Sequence, residues 1–440
     1  EINHDIRMLG IFLLALALVS GAAAQDQRFQ EIFRWNTIDV VWPSEEVRTR
    51  AYERNEYVAA NNPIAGIKIW KEKMYLTIPR WREGVPVTLG VTSAKPINRT
   101  YAPMLEAYPS WDMQTVGDCG AFQFVQSMEI DPQGRMWVLD TGRTETMTLE
   151  AKARCPPRLV ILDLEDNGKV LRSYNFPANV TPPDSSYLND IVLDHEDGGF
   201  AYITDNSDVD PGIIVFSLSN GTSWKVRDSS MKAQQDAVGF MVGKVHVIPP
   251  INVDGIALSP AGARDRYVFY TPLSSFHLYA LPTWVLKNGT RDVHRYVREL
   301  GRKDSQTDGM MMSSTGVLYY GMLADDSISM WDMTASPSFT AGQRLISRDH
   351  EKMQWPDTFS FDENGYLYCV TNSLQNFINN RVNVTVPNYR VIRLATPWVK
   401  SYQYYGNRTA PELPMIVASA DRVTFALGTC LVVVLAFVMK

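Results

Sequence analysis

One pattern recurs six times along this chain: a short apolar strand, a turn, and a second strand that carries an aromatic residue. The clearest copy, MEIDPQGRMWVLDTG at residues 128–142, has Asp-Pro-Gln-Gly between two apolar runs. Such text predicts a β-hairpin, because these residues favour tight turns between strands. The aromatic residues of the six second strands are Tyr75, Trp137, Tyr202, Phe269, Tyr319 and Tyr368.

The spacing of the copies predicts the fold class. Intervals run from 49 residues between Tyr319 and Tyr368 to 67 between Tyr202 and Phe269. A period of about 50 residues with several strands per unit indicates a propeller. After RMWVLDTG come two further strand-like runs, RLVILDLE and KVLRSYNFP, so each unit has four strands. We therefore predict an all-β, six-bladed β-propeller with four-stranded antiparallel blades.

The last copy has no obvious fourth strand after YRVIRLATPW, and the N-terminal segment RFQEIFRWNTIDVVW belongs to no copy. We expect this N-terminal strand to complete the last blade and close the ring, because closure removes exposed strand edges. The predicted organisation is residues 1–24 as upstream residues plus a signal peptide, 25–410 as the propeller, and 411–440 as a Pro-rich spacer with an apolar tail.

Both ends of the chain carry apolar segments that the propeller does not need. MLGIFLLALALVSGAAAQ, from Met8, predicts a secretory signal peptide cut before Gln25, with residues 1–7 interpreted as upstream read-through. Residues 423–439 form an apolar run that barely spans a bilayer of about 30 Å. This tail is either a membrane anchor or a GPI attachment signal. We expect residues after about 411 not to pack on the propeller.

Asparagine sequons and cysteines also indicate an extracellular protein. Two of the four cysteines, Cys119 and Cys155, flank the clearest hairpin and are natural disulfide partners in an oxidising compartment. Cys369 lies mid-strand and is predicted to be a buried free thiol, whereas Cys430 lies in the tail. The six predicted glycosylation sites are Asn98, Asn179, Asn220, Asn288, Asn383 and Asn407.

Charge and motif content exclude several function classes. The formal net charge is −6 without a basic cluster, which argues against a nucleic-acid partner. The chain lacks the dinucleotide, P-loop, zinc-protease and serine-hydrolase signatures, and its six histidines are scattered. We therefore predict no metal site, no cofactor and no catalytic residue.

Four acids stand just before or at the start of predicted inner strands. They are Asp190 in LNDIV, Asp254 in VDGIA, Asp308 in TDGMM and Asp357 in PDTFS. Equivalent positions of a propeller surround one mouth of its central channel, so these acids could form a ring that attracts a cation. The alternative is that each Asp caps backbone N–H groups and ties neighbouring blades together.

An ordered set of motifs resembles the major royal jelly protein and yellow family of insects. It includes MYLTIPRW, GVPVTLG, YPSW, DCGAFQFVQSMEIDPQGRMWVLDTGR, CPPRLVILDL, YLNDIVLD, AYITDN, DGIALSP and LYALPT, over about residues 29–405. The resemblance implies a secreted six-bladed propeller with a role in pigmentation, cuticle or eggshell, nutrition or saliva. Some family members bind small biogenic amines in the central channel, and some convert dopachrome.

Similarity to the amine-binding members suggests that the last hairpin lines the ligand pocket. Carried onto this sequence, the ligand-binding residues are Asp357, Thr358, Asn372, Leu374 and Phe377. An amide and a flat apolar surface suit an aromatic amine; the alternative is an ordinary loop with a buried Phe. We expect a protein that binds an amine or catechol-like ligand at the outer cell surface or in secreted form. A dopachrome-converting isomerase and a structural component of cuticle or eggshell are the alternatives.

Overall fold

The computed structural model describes residues 29–96, 98–404 and 410–414. Its strands form six four-stranded antiparallel sheets arranged as the blades of a propeller, as predicted. From inner to outer strand, blade 1 is Ile67–Trp70, Lys73–Thr77, Leu89–Ser93 and Glu106–Ala107; blade 2 is Val125–Ile130, Arg135–Asp140, Arg158–Asp163 and Lys169–Asn175; blade 3 is Leu188–Asp194, Phe200–Asp205, Gly212–Ser217 and Thr222–Val226.

The second half of the ring repeats this arrangement. Blade 4 is Val253–Leu258, Tyr267–Pro272, His277–Pro282 and Arg298–Arg302; blade 5 is Met310–Met312, Val317–Met322, Ser327–Asp332 and Gln343–Arg348; blade 6 is Pro356–Phe361, Tyr366–Thr371, Tyr389–Ala395 and Gln30–Trp35. The N-terminal strand thus pairs antiparallel with the last strand of the chain, with Phe33 opposite Val391.

The six repeated aromatic residues all lie in the second strand of a blade and are buried. They pack between neighbouring blades; the rings of Tyr319 and Phe361, for example, meet edge to face at 6.0 Å. Apolar contact between blades buries the faces that a single sheet would leave exposed. The recurrence in the sequence therefore encodes the inter-blade core.

Short hairpins and helices lie outside the six blades. Two small hairpins pair Arg143–Thr144 with Lys152–Ala153 and Phe240–Val242 with Val245–Val247. The α-helices are Glu45–Glu53, Thr283–Lys287, Phe339–Gly342 and Leu374–Ile378, and the 3₁₀-helices are Ala59–Asn61, Asp112–Gln114, Ser229–Met231, Gln235–Ala237, His294–Tyr296 and Leu323–Asp325.

The predicted cysteine chemistry is confirmed. Cys119 and Cys155 form a disulfide with their Cα atoms 5.5 Å apart, and Cys369 is a buried free cysteine. The disulfide fastens the base of the small hairpin Arg143–Thr144/Lys152–Ala153 to the loop that precedes blade 2.

After blade 6 the chain crosses the face where the inner strands end. The backbone N–H of Tyr402 donates to the carbonyl of Met312, and its hydroxyl accepts from the backbone N–H of Leu193. Further on, Leu413 packs on the apolar cluster that contains Trp137. The expectation that residues after about 411 do not pack on the propeller is therefore wrong for Leu413, because this side chain finds an apolar site on the ring.

Several predictions fall on residues outside the described ranges: the signal peptide, the apolar tail, Cys430 and the sequon at Asn407. Within the described ranges, no helix is both long and apolar enough to cross a bilayer. The other five sequon asparagines, Asn98, Asn179, Asn220, Asn288 and Asn383, are exposed.

Candidate ligand site at the channel mouth

Three carboxyl side chains meet at the end of the central channel where the inner strands begin. Asp254, Asp308 and Asp357 belong to the consecutive blades 4, 5 and 6, and all three line one open cavity of about 540 Å³. That volume lies within the range of roughly 300–1,000 Å³ that small-molecule sites occupy. We call these three residues the floor acids.

Glycines next to two floor acids explain how closely the three approach. A Cβ atom at Gly255 would lie 2.1 Å from the carbonyl oxygen of Asp308, and one at Gly309 would lie 1.7 Å from that of Asp357. The Asp-Gly pairs at the start of blades 4 and 5 thus let the backbone of the next blade touch the inner strand, since glycine has no Cβ to prevent it.

The fourth predicted acid, Asp190, is not part of this floor. Strand pairing shifts register between Leu188 and Ile191 and between Val253 and Ile256, so Asn189 is the residue that corresponds to Asp254. Asn189 lines the mouth cavity and donates to Asp254 at 2.8 Å. Asp190, one residue further, lies deeper in the channel, because successive residues of a strand point to opposite sides.

The floor acids accept hydrogen bonds from neighbouring loops. The indole nitrogen of Trp355 donates to Asp308 at 2.6 Å, and the amide nitrogen of Asn206 donates to Asp254 at 3.2 Å. Asn372 donates to Asp357 at 2.6 Å. These donors fix the carboxyl groups but carry no positive charge.

Burial in this uncharged setting raises the pKa of the floor acids. The pKa values of Asp308 and Asp357 lie well above their usual range, chiefly because of burial, and the negative charges of the other floor acids add to the effect. Burial also raises the pKa of Asp254. Like-charged carboxyls in one site cannot all ionise without cost. Burial and mutual repulsion therefore oppose ionisation of the floor acids, and a positive charge in the cavity would favour it.

Aromatic and apolar side chains support the cavity wall. Trp81, Tyr187 and Trp355 line it, and the indole N–H of Trp81 donates to the hydroxyl of Tyr187. That hydroxyl in turn donates to Gln126 at 2.9 Å. Trp81 and Trp355 also belong to a buried cluster against which Tyr187 packs, here called the mouth cluster, which consists of Ala65, Trp81, Phe124, Phe240, Val242, Val247, Leu273, Leu323, Trp355, Leu374 and Phe377.

Most of the predicted residues of the last hairpin hold Asp357 in place or pack behind the cavity, and few of them line it. Leu374 lines the cavity, whereas Asn372 is buried and spends its amide on Asp357 and the carbonyl of Ile64. Phe377 is buried in the mouth cluster. Thr358 donates to Asp357 at 3.0 Å and faces the deeper part of the channel.

The deeper part of the channel is a separate, very small chamber of about 10 Å³. A buried ion pair between Lys68 and Glu129, 3.1 Å apart, lines it together with Asp190 and Tyr402. Burial raises the pKa of Asp190 to about 6, although the charge of Lys68 opposes the shift. The buried strand Met310–Met312 also lines this chamber.

Comparison with known proteins settles the family. Residues 123–402 match the family described as major royal jelly protein. The chain belongs to the major royal jelly protein family. Protein yellow of Drosophila guanche is 27% identical to it over 403 residues, covering 87% of this chain and 68% of that protein. Protein yellow of Drosophila madeirensis is 26% identical over 401 residues, with the same coverage.

Among solved structures, a luciferin-regenerating enzyme is similar with a TM-score of 0.47 and 11% identity, over 81% of this chain and 98% of that one. The resemblance predicted from the motifs to the yellow and major royal jelly proteins is thus confirmed by sequence.

In this member of the major royal jelly protein family, sequence reasoning missed most of the cavity wall. Trp81 ends the MYLTIPRW motif, Arg82 follows it, and Arg143 follows DTG. These motifs indicated the family but were not predicted to form part of a site. The signal that could have found them is position: each follows the second strand of a blade, where loops reach the same mouth as the floor acids.

Across the described residues, no group of three or more His, Cys, Asp or Glu side chains has an arrangement suited to a metal ion. The floor acids are held by amide, indole and hydroxyl donors and by no positively charged side chain among these contacts, so a cationic group could complement their charge.

Proposed function

We propose that this protein is an extracellular binder of a small aromatic amine or catechol-like ligand, held in the mouth cavity with its positive group on the floor acids. The convergence of Asp254, Asp308 and Asp357 in one cavity carries the proposal. Tyr187, which is half-buried, lines the cavity with an aromatic ring against which a ligand ring can pack, and the buried Trp81 and Trp355 support that wall.

The electrostatics support a cationic ligand. The floor acids hold raised pKa values because burial and mutual repulsion oppose ionisation. An ammonium group placed among them lowers those pKa values, so binding should release protons in exchange for the ligand's charge. A neutral ligand of the same shape gains no such interaction.

Calorimetric titration of the purified ectodomain with dopamine and serotonin tests the proposal. Binding is expected, and the apparent enthalpy should depend on the ionisation enthalpy of the buffer because protons are released. The variant Asp357→Asn should weaken binding by about ten- to a hundred-fold, the value of one charged hydrogen bond. The variant Asp304→Asn, at an exposed acid outside the cavity, is the control. Absence of amine binding, or equal affinity in Asp357→Asn, would refute the proposal.

A dopachrome-converting isomerase is the second candidate, and the raised pKa values of the floor acids favour it. Carboxyl groups that titrate closer to neutrality can donate and accept protons in a reaction. Turnover of dopachrome, followed in the same preparations, separates this candidate from simple binding. Conversion at the buffer rate, together with tight amine binding, would exclude the enzyme and keep the binder.

The extracellular placement also belongs to the proposal. The disulfide Cys119–Cys155 suits an oxidising compartment, and the exposed sequon asparagines are accessible to glycosylation. Expression of the full chain in insect cells should give protein in the medium or on the cell surface, with a mass that falls on treatment with an N-glycosidase. Release by phosphatidylinositol-specific phospholipase would indicate a GPI anchor, and retention a spanning segment. An intracellular, unglycosylated product would contradict the placement.

A further inference from the structure

We propose that the ligand of the mouth cavity carries a carboxylate as well as an ammonium group, so that the preferred class is the aromatic amino acid rather than its decarboxylated amine. Arg82 is the residue that we assign to the carboxylate. This inference rests on the proposed function and adds a second, negative group to the ligand.

As far as the structure describes the chain, the guanidinium of Arg82 has free hydrogen-bond donors beside the cavity. Arg82 lines the same cavity as the floor acids, half-buried, with its guanidinium stacked 4.1 Å above the ring of Phe377. One nitrogen, Nη2, donates to the carbonyl of Phe377 at 2.7 Å. In the described part of the chain this guanidinium has no acidic partner within salt-bridge distance and no other hydrogen bond, so Nε and Nη1 remain available as donors.

Arg143 repeats the arrangement on another part of the wall. Its Nη1 donates to the carbonyl of Ser186 at 3.1 Å, whereas its Nε is buried and has no hydrogen-bond partner among the described residues. Asp184 and Asp208, both exposed, line the same side of the cavity, and their charges act on Arg143 from a distance. Arg82 has no such acidic neighbours acting on it, which makes it the better carboxylate donor.

The cavity therefore contains charges of both signs that do not neutralise each other. The floor acids lie at or just before the start of the inner strands, whereas Arg82 lies in a loop and Arg143 in the small hairpin Arg143–Thr144/Lys152–Ala153. Burial lowers the pKa of both Arg82 and Arg143, which shows that water compensates their charge incompletely. A partly buried guanidinium without a counterion gains a charge-assisted, bidentate interaction when a carboxylate arrives. A zwitterion satisfies both ends of the site at once.

The ring of the ligand would lie between these two ends. Tyr187, which is half-buried, lines the same cavity as Arg82 and the floor acids, and the buried indoles of Trp81 and Trp355 support that wall. An aromatic side chain suits this cavity because flat rings pack well against an aromatic ring such as that of Tyr187. The three requirements, ammonium, ring and carboxylate, together describe an aromatic amino acid.

Matched ligand pairs that differ only in the carboxylate test the inference: tyrosine against tyramine, DOPA against dopamine, and 5-hydroxytryptophan against serotonin. Titration of the ectodomain should give at least about tenfold tighter binding for the amino acid of each pair, which is the lower value expected of one charged hydrogen bond. The variant Arg82→Gln should abolish this preference, because it lowers amino acid affinity, whereas amine affinity should not fall, since a positive charge that repels the ammonium group is removed from the cavity. The variant Arg82→Lys should restore part of the preference, because it keeps the charge but loses the bidentate fork.

The ratio of the two affinities within one variant is insensitive to partial unfolding, so a structural role of Arg82 cannot imitate the result. Arg295→Gln is the matched control, since Arg295 stacks on Tyr296 at 4.7 Å on the surface and touches no cavity residue. The carboxylate assignment is overturned if the native protein binds the amines as tightly as the amino acids or more tightly. It is also overturned if the ratio of amino acid affinity to amine affinity is unchanged in Arg82→Gln. Either result leaves the amine site in place. If neither class binds, the proposed function fails as well.

Discussion

Asn372 lies 2.6 Å from Asp357, and its second amide hydrogen reaches the carbonyl of Ile64 at 2.8 Å. Its carbonyl oxygen accepts from the backbone N–H of Leu374 at 3.2 Å. Both of its amide hydrogens are thus used inside the protein, so Asn372 positions a carboxyl group and has no free amide hydrogen to donate to a ligand. Asp357 then presents its remaining surface to the cavity.

Replacement of Asn372 should therefore act on binding through Asp357. In Asn372→Ala the carboxyl loses its fixed donor, and amine affinity should fall about tenfold, the effect of one hydrogen bond to a charged group. Its pH dependence should also move, because loss of the donor raises the pKa of Asp357 further. Titration across pH checks both effects. Asn379→Ala, on the adjacent turn but bonded to His246 and Gln375, is the control; equal losses in the two variants would contradict a specific role.

Asp308 should make the unliganded protein less stable at neutral pH. Its folded pKa lies above the unfolded value, so its favourable contribution exists at low pH and is lost as pH rises through the folded pKa. The variant Asp308→Asn removes this loss and can still accept from Trp355. Its gain in the free energy of unfolding should grow between about pH 5 and pH 8, as measured by urea unfolding. Asp304→Asn is the control, and a gain that shrinks with pH would show the sign to be wrong.

Lys303 should give the opposite slope. It is fully buried, donates to Thr271 at 2.7 Å and to the carbonyl of Ser275 at 3.2 Å, and burial lowers its pKa to about 7. Because the folded pKa is below the unfolded one, the protein loses stability as pH falls from above 10 toward 7. Lys303→Met should therefore be more stable than the native protein by an amount that grows as pH is lowered. Lys232→Met, at an exposed site, is the comparison.

Gly309 should tolerate no side chain. A Cβ atom there would lie 1.7 Å from the carbonyl oxygen of Asp357, so blades 5 and 6 would have to separate. We expect Gly309→Ala to lower the free energy of unfolding by more than about 3 kcal/mol, at the upper end of single-residue effects, and to abolish binding. At Gly120 the nearest atom to a Cβ is a side-chain oxygen of Asp118 at 3.2 Å, so Gly120→Ala should be mild. Similar denaturant midpoints for the two variants would disprove the close-approach argument.

The disulfide should stabilise both the fold and the site. It closes a loop with a sequence separation of 36, which corresponds to roughly 3–4 kcal/mol in the chain-entropy model. The double variant Cys119→Ser/Cys155→Ser should lose about that much stability. It should also bind ligand more weakly, because the fastened hairpin supplies Arg143, Thr146 and Met147 to the cavity. Chemical unfolding and titration under non-reducing conditions measure both; unaltered affinity would show that the hairpin is held without the disulfide.

The fold could be predicted from the sequence because inter-blade packing requires a repeated feature. Each blade needs one large aromatic in its second strand, and Tyr75, Trp137 and their four counterparts repeat at the period of the blades. The pairing of Cys119 with Cys155 was likewise readable, since both flank one hairpin. Both features depend only on the local amino-acid sequence and on the spacing of its repeats.

The candidate site was only partly predictable, because it depends on register and on long-range approach. Both inner strands carry the same irregularity in their pairing, so Asn189 corresponds to Asp254 at the mouth, whereas Asp190 corresponds to Gly255 and lies in the inner chamber. Arg82 and Trp355 come from loops whose direction no local pattern gives, and they meet the floor acids only when the ring is assembled. The side of a strand on which a given side chain lies is thus harder to predict than the presence of the strand.

The closure of the inner chamber has a kinetic consequence. Tyr402 and the Lys68–Glu129 pair line the inner chamber, which has room for about one water molecule. A small molecule in the mouth cavity therefore cannot pass through the inner chamber, so it must leave by the opening through which it entered. A resident molecule excludes the next one from the site, so exchange follows dissociation, and residence time is governed by the loops around the rim.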